Sequence, residues 1–165
     1  MKITEYKVVQ DMNKHPQLLP THSYIWNGKD FMTYDNIVDM MNKCFNMNRL
    51  NEEYVYVLAF NWNMDLTGIY ELSHGTSKNS TITNKELHIF LLLSGADQFI
   101  IVHNHPNGTL EISDDDNMIT SDINAFSTLL GINMIEHIII SNKGYALIQK
   151  KKLEEFRRIF RKGGS

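Results

Sequence analysis

The chain has 165 residues, is 42% hydrophobic and 21% charged, and carries a formal net charge of −3. That balance fits one globular unit with a sizeable core and excludes a long disordered tract or a strongly basic nucleic-acid binder. A single cysteine, Cys44, rules out an internal disulfide and any zinc site built on thiolates of this chain, and fits a reducing compartment.

Taken in order, residues 3–9 are expected to form an edge strand. Asn27-Gly28, between Tyr24-Ile25-Trp26 and Lys29-Asp30-Phe31, has the residue types of a type I′ hairpin. Thr33 then caps a first helix whose apolar stripe is Ile37, Met40, Met41, Cys44 and Phe45, spaced i, i+3, i+4, i+7, i+8. Residues 54–60, YVYVLAF, lack polar alternation and read as a fully buried strand, with 66–73 as its antiparallel neighbour after an Asn61-Trp62-Asn63 turn. Thr83 and Glu86 form a capping box for a helix over 84–94 that Gly95 stops. A strand over 98–103 follows, then a helix over 114–130 with Ile119, Ile123, Phe126 and Leu130 on one face, then a hairpin over 135–149 turning at Asn142-Lys143-Gly144. Residues 150–165 hold seven Lys/Arg and two Glu, a local balance of +5 that leaves −8 elsewhere. Leu153, Phe156 and Phe160 make this segment an amphipathic helix. The acidic body disfavours phosphate-backbone binding, so nucleic-acid binding is expected to be weak or absent. No signal peptide and no apolar run of about 18 residues is seen, which predicts a cytoplasmic protein with no membrane partner. The element string as a whole is α/β, a mixed β-sheet flanked by helices.

The most specific chemistry lies in His103-Asn104-His105-Pro106, followed by Ser113 and Asp116. If 98–103 is a strand, His103 and His105 continue its period of two and point to one side at its end. Pro106 ends the strand, and Gly108 allows a turn that returns Asp116, in the first turn of the next helix, to the same space. Two histidines and a carboxylate suit a catalytic zinc, which takes three protein ligands and leaves a fourth position for water. The bland alternative is that Ser113 and Asp116, three apart, form a capping box with no metal at all. His74 and His137 could reach this site from neighbouring strands, but no spacing singles them out from hydrogen-bonded core or surface histidines. His15, His22 and His88 carry no signal.

The pattern His103-x-His105-Pro106-x6-Ser113-x2-Asp116 resembles the signature of the JAMM (JAB/MPN) zinc metalloproteases, and HNHPNG resembles the HNHPSG of the RadC-like branch. Glu53–Asn61, Gly75-Thr76, Leu130-Gly131-Ile132 and Glu136–Ile140 are similar to further blocks of that branch, over about residues 33–150. Three positions depart from it: Asn107 for serine, Glu111-Ile112 for Thr-Pro, and Glu136 for aspartate. The resemblance implies a JAB/MPN, cytidine-deaminase-like architecture over residues 33–162, preceded by a strand and hairpin extension over 1–32 that carries no helix-hairpin-helix pattern. It further implies Zn2+ held by His103, His105 and Asp116, Glu53 as general base, and Ser113 as support for the oxyanion. The implied activity is hydrolysis of peptide or isopeptide bonds in a peptide or protein-tail substrate. Successive strand side chains point to opposite faces, so at most one of Glu52 and Glu53 faces the metal, and the family register selects Glu53. Two other classes compete: a DNA-repair-associated nucleic-acid processing factor, and an inactive zinc-bearing interaction module. A zinc nucleobase deaminase is disfavoured because no P-C-x-x-C ligand pair is present.

Overall fold

The computed structural model describes residues 1–75 and 84–153. Within them one seven-stranded mixed sheet carries helices on both faces. The elements in chain order are β1 (Lys2–Gln10), β2 (Pro16–Ile25), α1 (Tyr34–Phe45), β3 (Glu53–Phe60), β4 (Leu66–Gly75), α2 (Asn84–Leu93), β5 (Gln98–Asn104), α3 (Asp114–Leu129), β6 (Asn133–Ser141) and β7 (Gly144–Leu147). A single 3-10 turn, Met47–Arg49, joins α1 to β3. The sheet order is β2-β1-β4-β3-β5-β6-β7, parallel where β1 meets β4 and β5 meets β6, and antiparallel elsewhere.

The central strands are buried on both sides, which is why β3 reads as an unbroken apolar run. Tyr56, Leu58 and Phe60 face α1, where Ile37, Met40 and Met41 are fully buried. Val55, Val57 and Ala59 face α2 and α3, meeting Leu87, Phe90, Leu91 and Ile123. Each of the Val, Leu, Ile, Met and Phe side chains among them contributes about 1.5–3 kcal/mol of gross burial. The alternation of β3 thereby fixes the register of the strands that carry the site: Val55 lies opposite His103 in β5. Thr33 caps α1 through its side-chain oxygen, which accepts from the Asn36 N–H, and the helix ends at Asn46 in the left-handed region. Cys44 is half-buried at the edge of this core.

Three expectations are corrected. The strand at the N-terminus is internal: β1 lies between β2 and β4, and β2 is the edge. The hairpin turns at residues 11–15, where Asp11 accepts the N–H groups of Asn13 and His15, rather than at Asn27-Gly28. Neither Asn27 nor Gly28 has the positive φ that a type I′ turn requires. Instead the Trp26 indole is folded into the core with its Nε1–H donated to the Lys29 carbonyl, and it lies over Gly28 so closely that a Cβ would fall 2.0 Å from it. The glycine is there for close approach. Finally, Phe126 and Leu130 of the expected α3 face are exposed. Ile123, Thr120 and Ser127 face inward, because α2 and α3 meet through a polar contact, His88 Nε2 to Ser127 Oγ at 2.9 Å.

The capping role of Thr83, the block at Thr76 and the basic segment beyond Leu153 lie outside the described residues. Among the described residues, no helix is long and apolar enough to cross a membrane.

Candidate metal centre

The site is built where β5 runs out. His103 is a strand residue, buried to 2% exposure, and His105 extends the parallel ladder by one bond, its N–H donating to the Ile140 carbonyl at 2.8 Å. Pro106 cannot continue the ladder, and the chain turns at once, with the Gly108 N–H on the His105 carbonyl at 3.0 Å. Gly108 sits at φ 78°, the left-handed region that favours glycine, and a Cβ there would lie 3.0 Å from the Asn142 carboxamide oxygen. The chain then enters α3, whose N-terminus is fixed by a reciprocal capping box. Ser113 Oγ accepts the Asp116 N–H at 3.0 Å, and Asp116 Oδ2 accepts both the Ser113 N–H at 2.9 Å and its hydroxyl at 2.6 Å.

This places His103, His105 and Asp116 together, with one ligand atom from each within 4.8 Å of the others. His103 Nε2 lies 2.9 Å from His105 Nε2 and 3.3 Å from Asp116 Oδ1, and His105 Nε2 lies 3.8 Å from Asp116 Oδ2. Two ligands on one tetrahedral zinc stand about 3.3 Å apart, so His103 is within a few tenths of an ångström of that spacing to both partners, while His105 and Asp116 must close by about half an ångström or more. Burial drives His103 down to about 4, against the opposing pull of Asp116 and with help from His105, so the ring is neutral at pH 7 and its lone pair is available to a cation. His105 Nδ1 is buried and has no partner among the described residues. The donor set of two imidazoles and one carboxylate fits a divalent metal of the zinc type. The capping box is present and is compatible with metal ligation, because it uses Oδ2 and leaves Oδ1 turned toward His103.

Glu53 is the first residue of β3. Val55 pairs with His103, and continuing that antiparallel register by two residues brings Glu53, an exposed residue, to the level of His105 on the same sheet face. Partial desolvation raises its carboxyl above the usual glutamate value, His105 opposes that, and Asp116 adds to it, which places the carboxylate within the field of the ligand cluster. Glu52 precedes the strand, exposed, and its carbonyl accepts from Asn104 Nδ2 at 2.9 Å, while Asn104 Oδ1 accepts the Tyr54 N–H at 2.8 Å. The buried Asn104 amide therefore brackets Glu53 from both sides. Ser113 lies beside the cluster with its hydroxyl proton directed to Asp116.

Sequence reasoning did not single out Asn104, His137 or Thr120. His137 Nε2 contacts His103 Nδ1 at 2.7 Å, and His137 Nδ1 contacts Thr120 Oγ1 at 2.7 Å. The available signal was positional. His137 is paired with Ile101, two residues before His103, and so shares its face on the adjacent strand. His74 is instead exposed, on Glu71 at 2.7 Å. Beside His105 opens a pocket of about 270 Å³, walled by Asn48, Arg49, Asn51 and Asn142, with room for part of a substrate.

Comparison with known proteins agrees with this geometry. Residues 32–153 match the RadC-like JAB domain. A UPF0758 protein of Thermotoga maritima is 31% identical over 111 residues, covering 67% of this chain and 50% of the relative. One from Clostridium beijerinckii is 30% identical, covering 65% and 47%, and one from Neisseria gonorrhoeae is 30% identical, covering 66% and 48%. The chain spans about half the length of the curated relatives it matches. With the match extending from just before α1 to beyond β7, and with the His-His-Asp cluster inside it, this chain belongs to the family of RadC-like JAB domain proteins.

Proposed function

We propose that this domain is a zinc-dependent hydrolase of peptide or isopeptide bonds, working in the cytoplasm on a peptide or protein tail. The observation that carries the reading is the convergence of His103 Nε2, His105 Nε2 and the Asp116 carboxylate at the end of β5, with a separate carboxylate, Glu53, close enough to interact with His105 and Asp116. A site meant only to hold a metal rigidly would close with a fourth protein ligand, whereas among the described residues three converge, and a pocket opens beside one of them, His105.

When bound, zinc lowers the pKa of a coordinated water to about 7 and polarises the carbonyl under attack. The remaining work belongs to the chain. Glu53, held at the end of β3 by the Asn104 bracket, takes one proton from the attacking water and returns it to the departing amine nitrogen, so that the acyl carbon gains OH and the nitrogen gains H. Its raised pKa brings it closer to neutrality, where a carboxylate exchanges protons more readily in both directions. The pocket walled by Arg49 and the asparagines receives the residues flanking the scissile bond.

The test is hydrolysis of a peptide and isopeptide library followed by mass spectrometry. Glu53→Gln should keep its zinc and its fold while losing about 10²-fold or more in rate, and Glu52→Gln should match wild type. Equal rates for all three proteins, or loss confined to Glu52→Gln, would remove Glu53 from the mechanism. A library left intact by the zinc-loaded protein would count against the hydrolase reading.

A further inference from the structure

We propose that Thr120 and His137 form a one-way hydrogen-bond relay that sets the tautomer of His103 and so presents its Nε2 lone pair to the metal. The inference rests on the ligand reading of the site, and on one contact that fixes the direction of every other. Thr120 Oγ1 lies 2.6 Å from the backbone carbonyl oxygen of Asp116. Two oxygens at that separation need a proton between them, and a carbonyl has none to give. The threonine proton is therefore committed to Asp116. Toward His137 Nδ1, 2.7 Å away, Thr120 Oγ1 can only accept, so the proton of that contact sits on Nδ1.

A neutral imidazole carries one N–H, which leaves His137 Nε2 as a lone pair. The next contact, 2.7 Å to His103 Nδ1, then requires the proton to be on His103. His103 has in turn used its only proton, and its Nε2 faces Asp116 and His105 bare. The reverse wiring would put hydrogen on His103 Nε2, where a cation should bind, and would set the Thr120 and Asp116 oxygens against each other with nothing between them. His137 and Thr120 are buried to 2% and 5% exposure, so water does not compete for these positions. The relay begins at the main chain of one ligand, Asp116, and ends on the ring of another, His103, tying the first turn of α3 to β5 through β6. His105 has no such support among the described residues, where its Nδ1 lacks a partner. In the metal-free protein His105 must hold its proton on Nε2, donating it to His103 Nε2 at 2.9 Å.

The experiment reads the tautomers directly. Long-range proton–nitrogen NMR of the metal-free protein, labelled at the histidine rings, should show His103 and His137 protonated at Nδ1 and His105 at Nε2. Thr120→Val keeps the shape and removes the acceptor; it should convert His103 to a mixed tautomer and weaken zinc, measured by chelator competition, about ten-fold or more. Thr120→Ser should restore both. Finding His103 protonated at Nε2 in the wild type, or wild-type zinc affinity in Thr120→Val, overturns the relay. If the valine variant does not fold, the wild-type spectrum decides alone. The spectrum needs neither metal nor substrate, so a protein with the relay tautomers that cleaves no amide would refute the proposed function and leave the relay standing.

Discussion

Replacing Ser113 by alanine separates two roles that compete for one hydroxyl. The family resemblance gives Ser113 to the oxyanion, but in the structure its oxygen accepts the Asp116 N–H at 3.0 Å and its proton goes to Asp116 Oδ2 at 2.6 Å. The substitution deletes both bonds and spares the Ser113 N–H to Oδ2 bond at 2.9 Å, which belongs to the backbone. Loss of an N-cap acceptor costs about 1 kcal/mol. The hydroxyl–carboxylate bond is charge-assisted but solvent-accessible, so it adds less than the roughly 1.5–3 kcal/mol of a buried one. Asp114 and Asp115, also in the first turn, continue to favour the helix N-terminus. The sum is about 1–2 kcal/mol, or a melting temperature lower by about 2–8 °C for a chain of this size. With one of its two anchors gone, Asp116 should also bind metal about ten-fold more weakly. Thermal melts of the metal-free protein and zinc competition give both numbers, and Ser113→Thr should recover most of each. The reasoning is refuted if Ser113→Ala melts and binds zinc like wild type while its turnover falls 10²–10³-fold, because that pattern belongs to a lost oxyanion donor.

Two further outcomes follow from buried groups. Glu136, fully buried, accepts the N–H groups of His137, Gln149 and Lys151, so Glu136→Ala should cost about 3–5 kcal/mol in urea unfolding with Glu136→Gln intermediate; a loss under about 1 kcal/mol would contradict that bonding. His103, at about 4, and His137, also held well below its ordinary value by burial first and then by His103 and His105, bind fewer protons folded than unfolded. Their stability contribution is therefore complete above the unfolded value of about 6.5 and is lost as pH falls toward 4. The urea midpoint of the metal-free protein should drop between pH 7 and pH 5, and a flat midpoint across that window would contradict the buried neutral rings.

What the sequence revealed about the site was local. His103 and His105 share a strand period, Asp116 shares a capping box with Ser113, and YVYVLAF announces a strand buried on both faces; each pattern lies within a few residues and needs no partner to be recognised. Asn104 and Thr120 were hidden, and His137 was not separable from His74, for the opposite reason. Their roles exist only after β5 has paired with β3 and β6 and α3 has packed onto β6, and nothing in their own neighbourhoods announces it. The Asn27-Gly28 expectation failed because burial of Trp26 outweighed turn chemistry. On the α3 face Ile119 and Ile123 pack inward as expected, but Phe126 and Leu130 are exposed, because Ser127 and Thr120 take the inward positions through their bonds to His88 and His137.

Elemental analysis of the purified wild type beside a His103→Ala/His105→Ala double variant tests the metal centre most directly. One zinc per chain in the wild type and none in the variant is the predicted result, with both proteins giving the same far-UV spectrum. Equal zinc in the two, or none in a wild-type protein that has been offered zinc at neutral pH, would contradict it.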